Sequence, residues 1–134
     1  MSKSEEFISY KLKQAKRMVE IKIVRDSVTR AELRRIASEQ FGDFVKAVVD
    51  IEQGIMAIGG ELHADIEVLL MQEAGSKREF TWGINLYPEK SGDDFIEFDS
   101  MINIKPAQGN RSRGIADIHV QEKIRIIVKK FVSQ

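Results

Sequence analysis

The chain has 134 residues, 43% hydrophobic and 31% charged, which is the length and composition of one ordinary globular domain with a real core and excludes a collagen-like, disordered or membrane-spanning class. Its 21 basic residues balance 21 acidic ones, so no broad positive field is available for nucleic acid and only a local basic patch could serve. No cysteine is present, which rules out disulfides, thiol nucleophiles and thiolate metal sites.

In chain order, Ser4 to about Val19 places Ile8, Leu12, Ala15 and Val19 at helical spacing among Lys11, Lys13, Lys16 and Arg17. This reads as an amphipathic extension, Met1–Glu20, that packs on the domain, mediates a homo-oligomer or simply carries a solvated basic face. It has no apolar stretch of the secretory kind, so a cytoplasmic protein with no membrane partner is expected. A single domain then covers Ile21–Gln134, opening with a short strand over Ile21–Val24. Thr29 and Glu32 form a capping box, the stripe Leu33, Ile36, Ala37 and Phe41 follows, and Gly42 stands where a helix end favours a left-handed residue. Val45–Ile51 and Ile55–Ile58, joined by Glu52-Gln53-Gly54, predict a hairpin.

Glu61–Met71 fits two periods. Leu62, Ile66, Leu69 and Leu70 have helical spacing, while Leu62, Ala64, Ile66, Val68 and Leu70 alternate with Glu61, His63, Asp65 and Glu67. The turn Ala74-Gly75-Ser76-Lys77 and the β-rich Phe80–Tyr87 favour the strand and a second hairpin, with Trp82 in the core. Phe95–Ile104 predicts a long strand, Pro106–Gly114 a polar loop, and Asp117–Val132 a helix with Asp117 as its cap. The fold class expected is α+β: an antiparallel sheet meander with one face covered by helices, and function on the opposite, polar face.

The candidates for chemistry share that polar face. Glu61, His63, Asp65 and Glu67 would project together from one strand, and Glu97 and Asp99 from another. His63 among carboxylates suits a general acid/base or a nitrogen ligand beside hard oxygen donors, with Asp65, Glu97 and Asp99 as partners. The bland alternative is a solvated sheet face. His119, in the first turn of the last helix, reads as a surface histidine. The segment Gln108-Gly109-Asn110-Arg111-Ser112-Arg113-Gly114 is the more distinctive: glycines let successive N–H groups converge and arginine forks match phosphate oxygens. Asn110, Arg111, Ser112 and Arg113 are thus the ligand-binding candidates, with pairing of the arginines to Glu61, Glu97 or Asp99 as the structural alternative. The spacing matches no P-loop or dinucleotide fingerprint.

Glu61-Leu62-His63-Ala64-Asp65, Trp82-Gly83-Ile84-Asn85-Leu86-Tyr87-Pro88, Phe95-Ile96-Glu97-Phe98-Asp99-Ser100-Met101-Ile102-Asn103-Ile104 and Gln108-Gly109-Asn110-Arg111-Ser112-Arg113 together resemble an uncharacterised prokaryotic family of unknown function. The resemblance spans about Ile21 to Val132. It implies a bacterial or archaeal cytoplasmic protein and brings no activity, metal, cofactor or catalytic residue with it. Three functions are carried forward. One is a module binding a phosphate-bearing ligand, a nucleotide or RNA, through the arginine loop. The others are a hydrolase or small nuclease using His63, and an oligomeric scaffold.

Overall fold

Strand β1 (Lys22–Val24) lies at one edge of the sheet and pairs antiparallel with β4, the second arm of a hairpin formed by β3 (Val45–Asp50) and β4 (Ile55–Ile58). The computed structural model describes residues 2–6 and 21–134; most of the expected Ser4–Val19 helix lies outside them. The sheet is completed by β5 (Thr81–Leu86) and the two-residue β6 (Ile96–Glu97), in the order β1-β4-β3-β5-β6 with every pairing antiparallel. Two residues of β2 (Val28–Thr29) run parallel to β7 (Val132–Ser133) and tie the chain's last strand to the helix that begins at Arg30.

Helix α1 (Arg30–Glu39) starts where the capping box predicts, with Thr29 Oγ1 accepting the Glu32 N–H at 3.0 Å. Helix α3 (Ile118–Phe131) starts from Asp117, whose carboxylate accepts the His119 N–H at 2.8 Å. Their apolar stripes, Leu33 and Ile36 on α1 and Ile124, Val128 and Phe131 on α3, cover one face of the sheet. From below, the sheet offers Val45, Ala47 and Val49 of β3, Met56 and Ile58 of β4, and Trp82, Ile84 and Leu86 of β5. The α+β class, the antiparallel sheet and the helix-covered face are as expected, and Trp82 is in the core.

The alternation across Glu61–Met71 does not make a strand. The segment is helix α2 (His63–Ala74), closed by Gly75 in the left-handed conformation at φ 67°. It lies on the other face of the sheet, where Ile66 and Leu70 pack with Val48, Ala57 and Ile102 in a second, smaller core. The sheet is therefore covered on both sides along β1, β4 and β3. The expected second hairpin does not exist. Nor is Phe95–Ile104 one long strand: it pairs only at Ile96 and Glu97, and Met101–Asn103 is a turn of 3-10 helix.

Candidate functional site

Two-residue periodicity along β5 sends Thr81, Gly83 and Asn85 to the α2 side, and helix and strand meet there through polar contacts. His63, the first residue of α2, is 7% exposed and its Nε2 donates to the Ile84 carbonyl at 2.8 Å. Burial pulls its pKa down from 6.5 to about 4; the Ile84 bond and Asp99 oppose this shift, while Lys46 and Arg113 add to it. The imidazole is neutral at pH 7 and its hydrogen bond goes to main chain. One turn on, Glu67 is buried and accepts the Thr81 hydroxyl at 2.6 Å. Glu61 and Asp65 are exposed at the start of α2. The four residues expected to line up on a strand thus separate: His63 and Glu67 turn inward, Glu61 and Asp65 outward.

Beyond His63 the polar residues regroup. The register Lys46↔Asn85↔Glu97 places one basic, one amide and one acidic side chain in a row across three strands. Asn85 Nδ2 donates to Glu97 Oε1 at 2.8 Å and to the Asp99 carbonyl at 3.3 Å, and the Tyr87 hydroxyl reaches the same Glu97 oxygen at 3.3 Å. Partial burial and then Glu97 push the Tyr87 pKa up. Asp99 Oδ1 accepts Arg113 Nε at 2.7 Å. Asp99 and Arg113, expected on one surface with His63, are near enough for both charges to act on the imidazole. Among the described residues no group of three histidine, aspartate or glutamate side chains could hold a metal ion.

The Gly109–Gly114 loop owes its shape to two asparagines. Asn103 is fully buried where β6 stops, and its amide takes over the edge of β5, accepting the Gly83 N–H at 2.7 Å and donating to the Gly83 carbonyl at 2.9 Å and to Arg113 O at 2.9 Å. Asn110 is also buried. Its Nδ2 serves the carbonyls of Asn103 and Gly114 at 2.6 and 2.8 Å, and its Oδ1 takes the Ala116 N–H at 2.9 Å. Asn110 therefore shapes the loop from inside. The side chains the loop presents outward are Arg111, Ser112 and Arg113, all exposed. Arg113 is engaged through Nε alone, and Arg111 has no hydrogen bond or ion pair among the described residues.

Under the loop is a cleft of about 280 Å³ lined by Trp82, Gln108, Gly109, Asn110, Asp117 and Val120. It opens between the loop and the start of α3. The indole N–H of Trp82 is buried with no partner among the described residues, a condition that buried donors rarely tolerate. Reasoning from sequence placed Trp82 in the core and missed this donor.

The frame is thus an α+β domain whose five-stranded antiparallel sheet carries a clamped, arginine-bearing loop at its β6 edge. Residues 22–131 match the family described as Protein of unknown function (DUF5674), and the chain belongs to that family. Comparison with curated proteins and with solved structures gave no match. Among the described residues no helix is long and apolar enough to cross a membrane.

Proposed function

We propose that this domain is a binding module for a phosphate-bearing ligand, a nucleotide or a stretch of RNA, with Arg111 and Arg113 meeting the phosphate. The observation that carries this reading is the cleft under the loop. Gln108, Gly109 and Asn110 line it, Arg111 follows directly in the chain, and Trp82, whose buried N–H lacks an acceptor among the described residues, forms part of its wall. A base or sugar would occupy the cleft against Trp82, while its phosphate met the exposed guanidinium groups outside. Because Asn110 fixes the loop from within, little conformational freedom is left to lose on binding, and preorganisation of this kind favours affinity. The overall charge balance confines the attraction to this local patch.

Trp82 is the only tryptophan, so its emission reports on the cleft. Titration with ribonucleoside monophosphates and short RNA oligomers is expected to shift that emission. Arg111→Ala, which breaks no hydrogen bond or ion pair among the described residues, is expected to weaken binding by about tenfold. A panel in which no phosphate ligand gives an Arg111-dependent response would rule the reading out. A hydrolase built on His63 would have to act through Nδ1, since Nε2 is committed to Ile84, and no observation here favours it over binding.

A further inference from the structure

We infer a second ligand site: the cavity between α3 and the Gly92–Phe95 turn binds a small organic carboxylate, a single anionic head on a short apolar body. The cavity has a volume of about 320 Å³, at the small end of the range of ligand sites. Phe95, Ile96 and Val128 give it an apolar lining, and Arg30, Arg125 and Lys129 stand around it against one acidic side chain, Asp93. None of these residues belongs to the arginine loop or its cleft, so this inference does not depend on the phosphate reading.

Arg30 is the pivotal group. As the first residue of α1 it sits where the helix macrodipole disfavours a cation, yet it is held firmly. Its Nη1 donates to the carbonyls of Pro88 and Lys90 at 2.9 and 3.0 Å, and its guanidinium lies over the Phe95 ring at 4.3 Å. Its Nε is buried with no partner among the described residues. A guanidinium fixed in this way has lost its rotamer freedom before any ligand arrives and is still short of an acceptor. Arg125 is steadied by the Phe98 ring at 5.3 Å, by Gln121 at 3.3 Å and by an ion pair with Glu122 at 3.6 Å. Lys129 is exposed and has no ion pair among the described residues.

The lining also selects the kind of anion. Arg125 is already paired with Glu122, so Arg30 and Lys129 against Asp93 leave a small positive excess, and the carbonyl end of α3 at the same cavity subtracts from it. One charge is matched better than two or three. The apolar walls disfavour a small, strongly hydrated inorganic ion, which would shed its water with nothing to replace it. A carboxylate whose hydrocarbon part covers Phe95, Ile96 and Val128 satisfies both conditions.

Calorimetric titration of the full chain with sodium octanoate, octanol and sodium acetate tests this directly. Octanoate is expected to bind about tenfold tighter than octanol, which lacks the charge, and than acetate, which lacks the body. Arg30→Gln would also free the Pro88 and Lys90 carbonyls, so the decisive variant is Lys129→Glu, at an exposed position of α3. It is expected to keep the wild-type circular dichroism and to weaken octanoate by about fivefold while leaving octanol unchanged. Absence of saturable octanoate binding, octanol binding as tightly as octanoate, or Lys129→Glu matching wild type would each overturn the inference.

Discussion

His63 looks from its sequence neighbours like a charged or catalytic histidine, and its environment makes it the reverse. Burial holds its pKa at about 4 against 6.5 in a free chain. Between those values the unfolded chain binds a proton that the folded protein excludes, so stability rises with pH across the window. The contribution of the neutral ring is complete above about pH 6.5 and lost as pH falls toward 4; the shift corresponds to about 3 kcal/mol. Urea unfolding at pH 7.5 and 4.5 is expected to show a larger loss for wild type than for His63→Gln, by about that amount. Parallel pH dependences in the two proteins would contradict it. Gly83, directly beneath the ring, is under a different constraint. A Cβ there would stand 2.5 Å from Ser100 Cβ and Oγ and 3.1 Å from His63 Cδ2. Gly83→Ala is therefore expected to cost about 2 kcal/mol by overpacking. Adding Ser100→Gly should recover part of that loss in the same denaturation measurement, because it removes the nearer obstacle.

At the scale of elements, short strands survive here because side chains finish what backbone pairing begins. Asn103 supplies the donor and acceptor that Gly83 would otherwise find in a longer β6. Asn103→Ala leaves the buried N–H and carbonyl of Gly83 without that partner, while Arg113 O keeps the Ser100 N–H at 3.0 Å, and is expected to lower stability by about 3 kcal/mol. Hydrogen exchange should show the Gly83 amide losing protection in that variant; an amide as protected as in wild type would mean that the Asn103 bond is dispensable. The same substitution of side chain for backbone explains which elements could be read from sequence. α1, α3 and the β3–β4 hairpin carry local signals, a capping box, an Asp cap and a short Gly-containing turn, and each appears where predicted. The Phe95–Ile104 alternation signals a strand, but after Glu97 an asparagine amide does the pairing, and no period in the sequence encodes that. α2 misleads for another reason. Leu62, Val68 and Met71 are exposed apolar residues on its outer side, so the helix is apolar on two sides and its composition alternates like a strand. Gly59-Gly60 before it, both at positive φ, and Gly75 after it were the better guide. The arginine loop was legible as a feature, though not the inward role of Asn110, which depends on carbonyls brought together only by the fold.

Taken whole, the molecule is a sheet held between two unequal cores. On β3, Val49 faces the larger core under α1 and α3, and Val48 faces the smaller one under α2. Each core alone is modest, but both use the same strands, so loss of packing on one face removes support from the sheet that organises the other. Sharing of this kind makes a single cooperative unit, whereas cores on separate sheets could unfold independently. Ile66→Ala in the smaller core and Leu33→Ala in the larger one each remove a fully buried side chain, and each is expected to cost about 2–5 kcal/mol. The sharper expectation concerns the shape of the transition. Both variants should unfold in urea in one step, with lower midpoints and the wild-type slope, whether followed by far-ultraviolet circular dichroism or by Trp82 emission. Trp82 belongs to the larger core. If Ile66→Ala melted α2 first, circular dichroism would change before the tryptophan signal did, and the two cores would have to be treated as separate folding units joined only by strand pairing.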